Sequence, residues 1–420
     1  MKSIFKKIII KILLFESRII LKKYKPKIAT VTGNVGKTST KDAIFTVLSS
    51  IHHIRKSEKS YNSEIGLPLT IIGCENAWND PFLWLRNIFH GLELIIFKSN
   101  YPKCLVLEIG ADHPGDIESI SKWLKSDIVV MTKIGDVPVH VEFFSSPEEL
   151  FKEKSYLIDS LKENGTLVLL ADDKKVIGLL KNIKQKCITF GITEMAAITA
   201  SDITVLYDDH HLPSGMGFRL NYAGNSIPIK VDGVLGSTHI YPLLAGTGVG
   251  ISMEVSLPKI IESFSDHKPP RGRMNILAGI KGSAVVDDSY NSSPDALREG
   301  LVTLANLQVS GKRIAVLGDM LELGSFSAEE HRRAGIKALQ SCDILITVGP
   351  RARLMSGKAV QFDSSFEAGE YVKSIIGQGD VVFVKGSQSI RMERTVKEIM
   401  AEPHRARELL VRQEEEWLNR

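Results

Sequence analysis

Lys37 and Thr38 close the stretch "IATVTGNVGKTS", residues 28–39, and their chemistry is that of a phosphate grip. An ammonium at this place reaches the terminal phosphates of a nucleotide, and a threonine hydroxyl is a hard oxygen ligand for Mg2+. Gly33 and Gly36 let the chain turn sharply, so that the backbone of Asn34, Val35, Gly36 and Ser39 can approach phosphate oxygens. The helix that follows adds its positive end. The spacing departs from the common G-x-x-x-x-G-K-[ST], because Val31 stands where the first glycine is expected. The loop is the compact form T-G-x-x-G-K-T.

Such a loop needs a strand before it and a helix after it, and the surrounding sequence supplies both. Apolar runs ("KIATVT", "CLVLEIG", "DIVVMTKIG", "GTLVLLADD") alternate with helical stretches ("TSTKDAIFTVLSSI", "SPEELFKEKSYLIDSL"). That alternation predicts a mostly parallel sheet covered by helices. Residues 196–235 read as short antiparallel strands, and "HIYPLLAGTGVGISMEV" as a buried helix. "DHKPPRGRMN" marks a boundary, after which "SAVVDDS", "KRIAVLGD", "DILITVGP" and "DVVFVKGS" repeat the α/β pattern. The expected architecture is α/β. A P-loop ATPase domain spans 28–268 and a smaller, Rossmann-like C-terminal domain spans 269–420. The tail "EPHRARELLVRQEEEWLNR" reads as a terminal helix with solvated charges.

The 420 residues carry a formal net charge of +4 with no cysteine pair at C-x-x-C spacing, which argues against a zinc site or a disulfide framework. Residues 1–27 hold nine Lys/Arg and one acid, Glu16, so they carry +8 and the rest of the chain −4. The main body is therefore not a nucleic-acid binder by charge. The basic segment has no uncharged run near the roughly 18 residues of a membrane span, nor a small-residue cleavage site. On a helical wheel Lys7, Lys11, Arg18 and Lys22 lie together, and Ile8, Ile12, Phe15 and Ile19 share another face. Two readings follow: a helix lying on an anionic membrane surface, or a helix packing on the next domain. The succession Ile8, Ile9, Ile10 covers more of the wheel than a one-sided surface helix needs and tips the reading slightly toward packing.

The compact loop, together with "NSEIGLPLT" (62–70), "LEIGADHPGDI" (107–117), "ENGTLVLLADD" (163–173), "DDSYNSSPDAL" (287–297), "LGDMLELG" (317–324) and "VKGSQSIRME" (384–393), resembles the Mur ligase family. These are the ATP-dependent amide ligases of peptidoglycan precursor synthesis, and the C-terminal motifs look most like the branch that adds D-alanyl-D-alanine. The resemblance implies that a peptidyl carboxylate is activated by ATP as an acyl phosphate and then attacked by an amine. It further implies Mg2+, held by Thr38 and Glu108, with His140 close to the metal. Asp112 and Asp116 are weaker metal candidates. It implies a lysine that reacts with CO2 to give a carbamate, here Lys154, with Lys152 as the competing position. Arg273 would swing to the ATP phosphates and Asp288 would hold the ribose, with Tyr290 and Asn291 beside it. Asn62, Ser387 and Arg391 would meet substrate, Arg391 pairing with the dipeptide carboxylate unless it is a solvated helix arginine.

This sequence also departs from the family pattern. Lys133, Leu170 and Ser293 stand where asparagine is usual, and Gln388 where arginine is. The turn before His140 has about two extra residues. Only 27 residues precede the P-loop strand, too few for the UDP-binding domain that such ligases carry. UDP is then held differently, by a separate partner, or is absent from the substrate. The expected partners are small molecules, a muropeptide precursor and D-Ala-D-Ala. The expected protein is a cytoplasmic monomer that either is soluble or touches the inner face of the membrane through residues 1–27. The rival readings are a related ligase or amidating subunit for another cell-wall precursor, and a nucleotide-gated membrane scaffold without ligase activity.

Overall fold

The computed structural model describes residues 3–58, 64–78 and 80–418; Asn62 lies outside the described residues. The chain divides into two compact units. The first comprises Met1–Ile134, Ser146–Thr199 and Tyr241–Lys268; the second comprises Gly135–Ser145, Ala200–Ile240 and Pro269–Arg420. The second unit thus resumes at Pro269, beside the boundary read from "DHKPPRGR". It also takes in two earlier segments that the sequence assigns to the first domain.

In the first unit the chain runs α1 (Ser3–Tyr24), β1 (Lys27–Thr32), α2 (Lys37–Ser49), β2 (Ile54–Lys56), α3 (Gly66–Ile72), α4 (Pro81–Ile96) and β3 (Cys104–Glu108). It continues through α5 (Asp116–Ser121), β4 (Ser126–Met131), α6 (Pro147–Ser155), β5 (Leu161–Leu170), α7 (Lys174–Gly178) and β6 (Lys186–Gly191). The strands lie in the order β2-β3-β1-β4-β5-β6, and each neighbouring pair is parallel. Near-continuous runs such as Leu105–Leu107 and Val129–Met131 are fully buried, as a sheet covered on both faces requires. β1 has β3 on one side and β4 on the other, so strand order reverses across it. In open α/β sheets the crevice beyond the strand ends at such a reversal is where ligands bind.

β7 (Ile198–Tyr207) begins in parallel with β6, and β8 (Pro213–Tyr222) pairs antiparallel with β9 (Asn225–Asp232). Then come α8 (Ser237–Ser252), with Pro242 inside it, and α9 (Leu257–Ser263). The second unit's main sheet has β10 (Asn275–Ala278), β11 (Ala284–Asp288), β12 (Arg313–Gly318), β13 (Ile344–Val348), β14 (Val360–Phe362) and β15 (Val381–Lys385). Their order is β10-β11-β15-β12-β13-β14, parallel except for β10. Apolar clusters around Phe383 and around Val382 and Val384 cover its two faces. α10 (Pro294–Ala305), α11 (Ser327–Ser341), α12 (Ser365–Ile375) and α13 (Glu393–Ile399) complete the doubly wound pattern.

One expectation changes, and the leaning between two readings of the N-terminal helix is met. The tail is not one solvated helix: short helical turns at Ala406–Leu409 and Glu415–Leu418 flank a segment in which Leu410 and Arg412 are buried. The Arg412 guanidinium donates to Glu393 and to the carbonyls of Ser289 and Tyr290, and these bonds outweigh continued helix. The N-terminal helix, in turn, packs. Ile9, Leu13 and Ile20 are buried, and Lys23 Nζ donates to the carbonyls of Leu94 and Ile95 near the end of α4. No helix among the described residues is long and apolar enough to cross a membrane.

The packing of α1 on α4 encloses an acid. Glu16 is 2% exposed, and neither carboxylate oxygen has a hydrogen-bond partner among the described residues. A Cβ at Gly91 would stand 2.3 Å from Glu16 Oε2, so glycine at 91 makes room for it. Burial pushes the carboxyl from its usual 4.5 up to about 7. With its pKa raised by folding, the native chain holds a proton that the unfolded chain has lost. Stability therefore falls as pH rises from about 4.5 through about 7. Glu16→Gln should raise the melting temperature by a few degrees at pH 8 and leave it nearly unchanged at pH 4.5. Thermal melts at the two pH values check this; equal shifts at both would refute a titrating Glu16.

Candidate active site

The P-loop leaves β1 at Thr32, and its shape comes from two left-handed glycines. Gly33 has φ 142°, and a Cβ there would stand 2.1 Å from Thr132 Oγ1, so only glycine permits this approach to the end of β4. Gly36 has φ 86° and stands at the N-cap of α2, where it offers no side-chain cap. Beside Gly36 the space is open, as a Cβ would meet no atom within 4 Å. A helix start without a side-chain cap, next to open space, suits an anion. The loop is braced from outside, because the N–H groups of Asn34 and Val35 both donate to the Lys133 carbonyl, at 2.7 and 3.0 Å. Lys133 therefore contributes backbone, whatever its side chain. Asn34 Nδ2 is buried with no hydrogen-bond partner among the described residues, a donor left over in the loop. Lys37 Nζ reaches the Asn34 carbonyl at 3.4 Å.

Glu108 ends β3 in register with Val31 of β1, one residue before Thr32. The register brings its buried carboxylate to the loop, where Thr38 Oγ1 donates to Glu108 Oε2 at 3.0 Å. Its backbone N–H is held by Ser57 Oγ at 3.2 Å. A hydroxyl and a carboxylate converging this way are hard oxygen donors of the kind Mg2+ takes, and the pair fits that ion. The cation that balances Glu108 within the protein is Lys41, fully buried, with Nζ 3.7 Å from Oε2. Sequence reasoning passed over Lys41. Its signal was position, one helical turn after Lys37 on the same face.

Lys154 and Lys152 separate clearly. Lys152 is exposed, whereas Lys154, at 1% exposure, points inward from α6. Burial foremost, and then the charge of Lys37, pull the Lys154 ammonium from 10.5 down to about 7, against the opposing pull of Asp112 and Glu153. Glu153 holds α6 in place by accepting the amide hydrogens of Gly115, Ile117 and Glu118. Asp116 is engaged in its own turn, accepting from the N–H groups of Asp112 and His113. The first unit thus gathers Lys37, Thr38, Glu108 and Lys154. His140 belongs to the second unit, where Nδ1 lies 2.8 Å from Glu322 Oε2 and the residue has φ 72°.

In the second unit, Asp288 ends β11 in register with Lys385 of β15, and the two form a buried ion pair at 2.6 Å. Burial raises the Asp288 carboxyl, while Lys385 and then Arg273 oppose the rise. Lys385 also donates to the Asn291 carbonyl at 2.8 Å. The Arg273 guanidinium lies 4.3 Å from the centre of the Tyr290 ring. Arg273, Asp288, Tyr290 and Asn291 therefore form one cluster, with Lys385 as a member that the sequence reading missed. Ser387 Oγ accepts from the Leu321 N–H at 2.9 Å. Arg391 is neither solvated nor on a helix: it is buried, pairs with Glu393 and donates to the Trp417 carbonyl.

Comparison with known proteins agrees with this geometry. Residues 90–250 match the Mur ligase middle domain, and residues 272–388 match the Mur ligase, glutamate ligase domain. The UDP-N-acetylmuramoyl-tripeptide–D-alanyl-D-alanine ligase of Bacillus subtilis is 26% identical over 389 residues, covering 90% of this chain and 76% of that protein. The enzyme of the same name from Mycobacterium tuberculosis is 25% identical, covering 85% of this chain. The chain spans only 63% of the length of that mycobacterial relative. Among solved structures, the MurF ligase of Thermotoga maritima in complex with ADP superposes with a TM-score of 0.77 at 27% identity, covering 93% of this chain and 83% of its own. A pseudomurein peptide ligase of Methanothermus fervidus shares the fold, with a TM-score of 0.62 at 18% identity over 90% of this chain and 79% of its own. With the two domain models together matching well over half of its length, the chain belongs to the Mur ligase family.

Proposed function

We propose that this protein is an ATP-dependent amide ligase of peptidoglycan precursor synthesis. It activates a peptidyl carboxylate as an acyl phosphate and joins it to the amine of D-Ala-D-Ala. The observation that carries the reading is the Thr38–Glu108 contact at the mouth of a compact P-loop, with a buried, near-neutral Lys154 in the same unit. The names of the curated relatives supply the substrates.

The first step brings a carboxylate to a polyphosphate, so like charges must be screened. Lys37 and the first-turn amides of α2 hold the phosphates, with Asn34, Val35, Gly36 and Ser39 shaping the cradle. Thr38 and Glu108 would hold Mg2+, which when bound neutralises charge on the phosphates. Lys154, its pKa lowered to about 7, has a substantial share of uncharged amine near neutral pH, and that is the form that combines with CO2. The carbamate, formed with release of one proton, would be an oxygen donor for a second Mg2+. A metal role for His140 would use Nε2, with Glu322 fixing the ring through Nδ1. Arg273 would reach the phosphates and Asp288 the ribose, with Tyr290 and Asn291 alongside. For Arg391 to take the dipeptide carboxylate, that carboxylate must replace Glu393. Ser387 and Asn62 complete the proposed substrate contacts. The enzyme works as a monomer in the cytoplasm, where ATP is available.

Lys37→Ala should cut ATP turnover with a muropeptide donor and D-Ala-D-Ala by about a hundredfold or more, because it removes a cation from a phosphoryl-transfer site. Phosphate release reads this, and near-normal turnover by a folded variant would end the assignment. Lys154→Ala should abolish activity, and millimolar acetate should restore part of it by standing in for the carbamate. Full activity in Lys154→Ala would remove the second metal from the mechanism.

A further inference from the structure

α4 is amphipathic in an unusual sense, because its inner face is covered by the protein and its apolar outer face stands exposed among the described residues. Trp84, Asn87, Gly91 and Leu94 turn inward. Phe82, Leu85, Phe89, Leu92 and Ile96, spaced three and four apart, form one stripe on the opposite side. Phe82 is 82% exposed, Phe89 61% and Ile96 68%. Trp78 stands exposed just before the helix, and Phe97 just after it. A contiguous apolar stripe of this size is a binding surface.

The charge beside the stripe says what covers it. α1 runs alongside α4 in the same direction, Glu16 facing Gly91 and Lys23 reaching Leu94 and Ile95. Lys7, Lys11, Phe15, Arg18 and Lys22 are exposed and share one face of α1. Within residues 1–27 no acid offsets them, because Glu16, the one acid there, is buried on the other side. A second copy of this chain would set its own cations near these. An anionic bilayer accepts both features, taking the aromatic and aliphatic stripe into the headgroup boundary and the lysines at the phosphates.

We propose that α4 is a membrane-interface helix that beds its Phe82–Ile96 stripe into an anionic phospholipid surface, with the basic face of α1 as its electrostatic flank. The segment lies on the membrane and does not span it. The inference is independent of the ligase reading, since neither helix carries a proposed catalytic group.

The test is co-sedimentation of the full chain with phosphatidylcholine vesicles, with and without phosphatidylglycerol. Binding should require the anionic lipid and weaken with salt. Phe82→Ser/Phe89→Ser/Ile96→Ser should lower vesicle affinity at least about tenfold, with melting temperature and ATP binding kept. Lys7→Glu/Lys11→Glu/Lys22→Glu should lower affinity by about fivefold or more per residue and flatten the salt dependence. Absence of vesicle binding by the full chain, or binding untouched by the α4 substitutions, would overturn the proposal. So would a concentration-dependent dimer in sedimentation velocity that the α4 substitutions dissolve, in a chain that ignores vesicles; that outcome would assign the stripe to a second copy.

Discussion

A carboxylate at the buried end of a central strand has to be met by charge or by hydrogen bonds, and the first unit is arranged around meeting Glu108. The strand order forces the problem: β3 lies beside β1, so the last residue of β3 arrives next to the loop that leaves β1. Thr38 and Lys41 answer it from the first turns of α2, and Ser57 holds the backbone behind it. That arrangement fixes where the helix must start. It leaves Gly36 as the residue that bends the chain into it and ties the phosphate grip to the metal-binding oxygens in one piece of structure. The second unit uses the same device with the signs adjacent in register, as Asp288 and Lys385 stand on neighbouring parallel strands and neutralise each other out of water.

How much of this was legible follows from how local each feature is. Gly33, Gly36, Lys37 and Thr38 act through neighbours a few residues away, so their type and spacing carried the P-loop directly. The alternation of apolar runs and helical stretches gave the parallel sheets, because strand and helix periods are properties of short windows. Lys154 was different. A lysine on a helix looks the same inside and outside, and only the packing of α6, held by Glu153 against the start of α5, turned it inward. Lys41, Lys385 and Arg412 went unread for the same reason: each is a cation whose partner lies far along the chain. The grouping of 135–145 and 200–240 with the second unit is a non-local property too, and no composition shift announces it.

The N-terminal helix shows why one sequence supported two readings that looked exclusive. Its wheel carries apolar residues on more than half of its circumference, which a helix needs only if two surfaces want them. Ile9, Leu13 and Ile20 pack inward, while Ile8 and Phe15 stay out among the lysines. One face of the helix packs, while the other leaves apolar and basic side chains exposed together. The buried Glu16 is the point of tension between them. A protonated carboxyl is tolerable between α1 and α4, but a charged one is not. A helix that carries basic charge outward therefore docks on the protein through a group whose ionisation opposes the docking.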